Sequence, residues 1–76
     1  MQLYAGGYLT FYMPEQNSEI EIALEQPATL TSLLEGVGIP VGDVQLVVIN
    51  DKVEDLEIAI ITDQDQVKVF SAVDGG

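Results

Sequence analysis

The sequence predicts a small α+β domain, a mixed sheet of four to five strands with one main helix packed on one face. Segments with the two-residue alternation of strands lie before and after one segment with the spacing of a helix. The chain has 76 residues, enough for one small domain, and 47% of them are hydrophobic, enough for a core. It has no cysteine, so this core must hold the domain together without a disulfide.

Two strands are predicted in the first third of the chain. The first covers Gln2–Met13, which is rich in tyrosine, leucine and phenylalanine. Gly6-Gly7 inside it marks a bulge or bend, and Pro14 ends it. The second covers Glu19–Leu24, where isoleucine and leucine alternate with glutamate in a half-buried pattern. These two strands form a hairpin whose second strand has an acidic outer face.

One short helix follows. Its predicted N-cap is Thr29, and Gly36 and Gly38 are expected to stop it. An apolar stripe with helical spacing is formed by Leu30, Leu33, Leu34 and Val37. A helix of this length is unstable alone, so the stripe must pack against the sheet.

Two more strands are predicted at Gln45–Ile49 and Gln66–Phe70. The first is almost continuously apolar, which is typical of a central strand or one covered on both faces. In the second, Val67 and Val69 share one face, and Phe70 lies on the other. Shorter pieces, either strand or loop, lie at Lys52–Val53 and Ile58–Ile61.

An exposed aromatic patch follows from this parity. If the valines of the last strand face the helix, Phe70 faces away from it, together with one or more of Tyr4, Tyr8 and Tyr12. Exposed patches of this kind mark interfaces, and aromatic residues are enriched there. Phe70 and Tyr4 are therefore predicted to bind a partner.

The composition argues against several functions. There are 13 acidic residues, two lysines and no histidine, giving a net charge of −11. Such a chain is a poor partner for nucleic acid or an anionic membrane. The charge either attracts a basic partner or only maintains solubility.

Asp63-x-Asp65 resembles the opening of a calcium loop, but Val67 occupies the next ligand position, so a turn and no metal site are predicted. No segment is long enough to span a membrane, and the expected location is the cytoplasm.

The last residues carry the one remaining chemical feature. Gly75-Gly76 lies beyond the final predicted strand. Glycine has no Cβ, so such a segment can enter a narrow channel in any backbone conformation. A carboxylate on Gly76 would then be sterically open to attack on a nucleotide phosphate.

The segment Phe70-Ser71-Ala72-Val73-Asp74-Gly75-Gly76 resembles the F-x-x-V-x-G-G ending of the MoaD/ThiS sulfur carriers, which are ubiquitin-like β-grasp proteins. Other stretches resemble the family in the same order along the chain. They are Pro27-Ala28-Thr29-x-x-x-Leu33-Leu34, Gly38-Ile39-Pro40, Leu46-Val47-Val48-Ile49-Asn50 and Asp63-x-Asp65-x-Val67.

The resemblance implies a β-grasp domain over residues 1–70 and a flexible tail over residues 71–76. It implies that an ATP-dependent adenylating enzyme of the ubiquitin-activating type adenylates Gly76, and that sulfur then replaces AMP to give a thiocarboxylate. Gly75 would give access, and Phe70 and Val73 would seat the tail. By this resemblance the chain is not itself an enzyme and binds no cofactor, since the activating partner uses the ATP.

The resemblance favours the small-subunit type of molybdopterin synthase, with the large subunit of that enzyme as the sulfur acceptor. Ser71-Ala72 replaces the Pro-Pro common in that branch, and a thiamin carrier serving thiazole synthase is the alternative. A ubiquitin-like modifier conjugated through Gly76 would use the same ending. A docking module without terminal chemistry is the third hypothesis.

Overall fold

The computed structural model of the protein describes residues 1–72. Its strands are β1 Gln2–Gly6, β2 Glu19–Glu21, β3 Ala28–Thr29, β4 Val44–Ile49, β5 Lys52–Val53, β6 Ile60–Ile61 and β7 Gln66–Ser71, and its helix is α1 Leu30–Val37. Five strands form one sheet in the order β2-β1-β7-β4-β5, and β3 pairs with β6. The predicted α+β class, a mixed five-stranded sheet with one main helix, is confirmed.

The sheet is mixed because its central strand, β7, runs parallel to one neighbour and antiparallel to the other. β1 pairs parallel with β7, and every other pair in the sheet is antiparallel. This order places β2 at one edge and β5 at the other. Within residues 1–72, no helix is long and apolar enough to cross a lipid bilayer.

The core lies between the sheet and the helix. Leu30 and Leu34 of α1 are fully buried, and Val67 and Val69 of β7 lie in the same core cluster. The other buried apolar side chains of the cluster are Met1, Leu3, Ala5, Leu9, Met13, Ile39, Val44, Val47, Ile49 and Ile61. The predicted parity of the last strand is therefore confirmed, with the valines towards the helix.

The helix begins and ends with the capping residues expected from the sequence. The hydroxyl oxygen of Thr29 accepts a hydrogen bond from the Ser32 N–H at 3.3 Å, which satisfies one of the free donors of the first turn. Gly38 ends the helix at a φ of 105°, a left-handed conformation that favours glycine. Gly36 was expected to help stop the helix but lies inside it.

The first strand is much shorter than predicted. It was expected to run over Gln2–Met13, but β1 ends at Gly6, and residues 7–12 form a 3-10 helix. Gly7 has a φ of +64°, which turns the chain out of the extended conformation. The following segment returns Leu9 and Met13 to the core, so Tyr8 and Tyr12 do not extend the strand.

Other boundaries also differ from the prediction. β2 ends at Glu21 rather than Leu24, and β7 extends one residue further, to Ser71. β4 lies between two strands, as expected, but it is covered on one face only, because Leu46 is 41% exposed. A register shift between Val44 and Leu46 marks an irregularity, typical of a bulge, in its pairing with β7.

The turn at Asp63–Asp65 is held by side-chain hydrogen bonds. The carboxylate of Asp65 accepts bonds from the Thr62 N–H and from the Asn50 side-chain amide, both at 2.8 Å. The same side chain of Asn50 accepts a bond from the Gln66 N–H at 3.0 Å. These bonds join the β4–β5 turn to the start of β7, so these residues form a structural turn, as predicted.

Candidate functional site

The face of the sheet opposite the helix carries an aromatic pair. Phe70 of β7 and Tyr4 of β1 both lie on this face and are half-buried. Their ring centroids are 5.9 Å apart and the ring planes are tilted by 55°. This is a geometry that aromatic pairs favour. The structure thus brings together the two residues that the sequence analysis predicted to bind a partner.

Aliphatic side chains extend this pair across the sheet. The strand register places Leu46 opposite Phe70 and Val53 opposite Val48. Leu46 and Val53 are 41% and 72% exposed. We define the open-face patch as Tyr4, Leu46, Val48, Val53 and Phe70. An apolar surface on the uncovered face of a sheet is a candidate interface.

Charged side chains lie within and beside the open-face patch. Lys68 lies on the same face, opposite both Tyr4 and Val48 in the register. Glu19 lies opposite Tyr4 on the other side, at the β2 edge. Lys68 therefore lies within the open-face patch, between Tyr4 and Val48, whereas Glu19 lies at its rim, so the patch combines apolar side chains with one central positive charge.

Gly6 provides the space that the Phe70 ring occupies. A Cβ atom at Gly6 would lie 2.5 Å from Cδ1 and 2.8 Å from Cε1 of Phe70. The ring therefore lies directly over the Gly6 backbone. The sequence analysis interpreted this glycine as a bulge or bend and missed the close approach, which depends on a strand more than 60 residues further along the chain.

Gly7 leaves the space that the Ser71 side chain occupies at the end of β7. A Cβ atom at Gly7 would overlap with the hydroxyl oxygen of Ser71. That oxygen accepts a hydrogen bond from the Tyr8 N–H at 3.1 Å, and Ser71 is buried. The chain is thus anchored at Ser71, directly beside the open-face patch. The sequence analysis expected Ser71 to begin the tail, but the structure includes it in the strand.

The remaining predicted site residues, Val73, Gly75 and Gly76, lie outside the described residues. The chain leads into them from the end of β7. Phe70 and Ser71 stand at the end of a central strand, one facing the open-face patch and the other anchored beneath the Tyr8 backbone.

Several polar side chains with potential chemistry make structural contacts instead. The Tyr12 hydroxyl donates a hydrogen bond to Asp43 at 3.0 Å, and this bond raises the pKa of Tyr12 above 10.0. The Leu24 N–H donates to Asp63 at 2.9 Å and lowers the pKa of that carboxyl. Within residues 1–72, no three acidic side chains come close enough together to form a metal site.

Two exposed aromatic residues lie away from the sheet face on which the aromatic patch was predicted. Tyr8 and Phe11 are 50% and 71% exposed on the 3-10 helix that follows β1. Tyr8 was predicted as a possible member of the patch on the sheet face, and Phe11 was predicted to lie in the same first strand. Gly7 was the only signal that could have separated this segment from the strand.

Comparison with known proteins adds no family assignment. No protein-family model matches the sequence, and no curated protein matches it significantly. Within residues 1–72, the feature that the geometry brings together is the apolar open-face patch, a candidate interface.

Proposed function

We propose that the protein is a sulfur carrier of the MoaD/ThiS type with a ubiquitin-like β-grasp fold. The observation that carries the proposal is the F-x-x-V-x-G-G ending at residues 70–76, with four further family-like stretches in the same order along the chain. The proposal requires that Gly76 ends the mature chain. The carboxylate of that residue is the reacting group.

The topology supports the proposed fold. A hairpin, a crossing helix and three later strands give the order β2-β1-β7-β4-β5, with the first and last strands parallel at the centre. This order suits a β-grasp domain, in which one sheet face packs on the helix. The other face is then left free for partners.

The position of the open-face patch supports a reaction at the carboxylate of Gly76. Phe70 belongs to that patch, and the six residues after it span about 20 Å when extended. A partner that binds the patch therefore holds Gly76 within reach of its own active site. In this way the acidic domain supplies affinity and orientation, while the partner supplies the catalytic groups.

The proposed reaction has three steps. The Gly76 carboxylate attacks the α-phosphorus of ATP in an adenylating partner, which forms an acyl adenylate and releases pyrophosphate. Hydrosulfide released by the sulfur donor then adds to the acyl carbon, the C–O bond to AMP breaks, and AMP leaves to give the thiocarboxylate. The thiocarboxylate then donates sulfur to a cofactor precursor. Molybdopterin or tungstopterin synthesis is the favoured destination, with the thiamin thiazole as the alternative.

Intact-mass spectrometry tests this proposal. The protein is incubated with candidate adenylating enzymes of both branches, ATP and a sulfur donor. The expected product has the mass of the chain with one oxygen replaced by sulfur. A variant lacking Gly75 and Gly76 is the control and should show no change. No adenylate and no mass change with any of these enzymes would overturn the proposal, and isopeptide-linked adducts in cells would favour the modifier.

A further inference from the structure

A second apolar surface lies on the other side of the sheet, between its edge and the helix. This groove has a volume of about 350 Å³. Its walls are formed by Ile20 and Ile22 on the strand side and by Leu33, Gly36 and Val37 on α1, with Pro14 at one end. We call it the β2–α1 groove. It is separate from the open-face patch, because its side chains lie on the helix side of the sheet.

The backbone beside the groove is a strand edge that pairs with no further strand of residues 1–72. β2 is the outermost strand of the five-stranded sheet. The Ala5 N–H donates to the Ser18 oxygen at 2.8 Å, and the Ile22 N–H donates to the Met1 oxygen at 2.9 Å. The even-numbered residues of this segment therefore pair with β1. Because ladder hydrogen bonds alternate along a strand, the backbone groups of Glu19 and Glu21 point away from the sheet.

The side chains along this edge alternate between two faces. Ile20 and Ile22 point towards the groove, whereas Glu19 and Glu21 point to the opposite face and are exposed. A strand added beside β2 would have the same alternation. Every second side chain would enter the groove, and the others would lie beside the two glutamates.

Charge decides which kind of strand fits. A second copy of this edge would bring Glu19 and Glu21 against the same glutamates, and like charges directly opposite each other are destabilising. Lysine or arginine at those positions would instead form cross-strand pairs. The net charge of −11 favours approach of a basic segment over the whole molecule.

We propose that the β2 edge and the β2–α1 groove bind an extended segment of a basic partner protein, in which aliphatic residues alternate with lysine or arginine. The segment pairs with the backbone of Glu19 and Glu21 as a sixth strand. Its aliphatic side chains fill the groove, and its basic side chains lie beside the glutamates. Binding of this kind gives affinity through the backbone and specificity through alternate side chains. It does not depend on chemistry at Gly76.

The first test uses a short, end-capped peptide of alternating valine and lysine with a fluorescent label. Its fluorescence anisotropy is measured with the full chain at low ionic strength. One control peptide has the same composition with valines and lysines in separate blocks, and the other alternates valine with glutamate. We expect the alternating basic peptide to bind on the order of 10-fold more tightly than either control. Equal binding of the two basic peptides would mean non-specific attraction and would overturn the proposal.

Two glycines provide a matched pair of variants. A Cβ atom at Gly36, in the helix wall of the groove, would meet nothing within 4 Å, and the same holds for Gly42 outside the groove. The Cβ of Gly36→Leu therefore enters without a clash, its isobutyl group extends into the groove, and the substitution replaces a residue disfavoured in helices. We expect Gly36→Leu to weaken peptide binding on the order of 10-fold and Gly42→Leu to leave it unchanged. Equal effects of the two variants would place the peptide elsewhere.

Charge reversal tests the glutamates in the same way. The double variant Glu19→Lys and Glu21→Lys should weaken binding on the order of 10-fold at low salt. The control, Glu54→Lys with Glu57→Lys, changes the net charge equally on an exposed loop and should have a much smaller effect. Amide chemical-shift changes should centre on Glu19 and Glu21. Equal losses in both double variants, or shifts centred on Phe70, would overturn the proposal.

Discussion

The ring of Phe70 lies over the backbone of Gly6, so the two positions should be energetically coupled. Gly6 has φ −103° and ψ 171°, an extended conformation that alanine adopts without strain. Its only obstacle is the space taken by side chains, with Phe70 Cδ1 2.5 Å and Tyr4 Cε1 3.2 Å from the new Cβ. Gly6→Ala should therefore push the Phe70 ring outwards into solvent.

The cost can be estimated from what the displaced ring loses. The Tyr4–Phe70 pair contributes about 0.5–1.5 kcal/mol beyond its buried area, and partial exposure of the ring costs about 1 kcal/mol more. Alanine returns about 0.4–1 kcal/mol by restricting the unfolded chain. Gly6→Ala alone should thus destabilise the fold by about 1 kcal/mol, which lowers the Tm by about 4–8 °C for a domain of this size.

Removing the ring should reverse the sign of this effect. In the Phe70→Ala background the new methyl group meets only the Tyr4 ring, 3.2 Å away, which needs to move by a few tenths of an ångström. Gly6→Ala should then be neutral or stabilising by about 0.5 kcal/mol. The coupling energy from the double-mutant cycle is then about 1.5 kcal/mol. Urea unfolding followed by far-UV circular dichroism measures all four proteins, and an unchanged m-value shows that the comparison is valid.

Gly7→Ala is the matched control for this cycle. Its strain comes from a φ of +64° and from overlap with Ser71, so Phe70→Ala should leave its cost unchanged. The reasoning is refuted if Gly6→Ala costs the same with and without the Phe70 ring. It is also refuted if the Gly7 variant shows the same coupling.

Three further predictions concern other contacts. Asp51→Gly should raise the free energy of unfolding by about 1 kcal/mol, seen as a higher Tm, because Asp51 has a φ of 69° in the two-residue β4–β5 turn. The Thr62 N–H and then the Asn50 amide lower the pKa of Asp65 below its ordinary value of 3.8. Its stabilisation should therefore be present above that value and be lost as the pH falls through the folded pKa, and Asp65→Asn should flatten this dependence in urea unfolding between neutral and acid pH. Ultraviolet titration should find the Tyr12 phenol ionising above pH 10.0, and Asp43→Asn should lower its pKa, because the bond to Asp43 is the main cause of the shift.

Local signals predicted the parts of the fold that depend on few neighbours. Thr29 and Gly38 bound the helix as expected, because an N-cap hydroxyl and a left-handed glycine act within one turn. The alternation of Val67 and Val69 with Phe70 correctly gave the two faces of β7. In these segments the periodicity of the sequence agrees with the burial of the side chains, so a single sequence is enough to predict the element and its buried face.

The errors arise where distant contacts override local preference. Tyr8, Phe11 and Tyr12 favour strand, yet the left-handed Gly7 turns this segment into a 3-10 helix that packs Leu9 into the core. The two-residue strands β5 and β6 are too short to show any period. The β2–α1 groove needs the position of the helix relative to the sheet edge, which no local pattern contains.

The arrangement of the two proposed surfaces gives the acidic charge a more definite role than solubility. In the strand register, Glu19 lies opposite Tyr4, so the basic side chains of an added strand would lie along one side of the open-face patch. A single partner with a basic edge strand and a neighbouring apolar surface could then contact both. Exposed rim charges mainly set the association rate, whereas apolar anchors mainly set the dissociation rate. Reversing Glu19 should therefore slow association and reduce its salt dependence, while Phe70→Ala should speed dissociation at nearly constant association. If both substitutions change the same rate constant, the reasoning that Glu19 acts on association and Phe70 on dissociation is wrong.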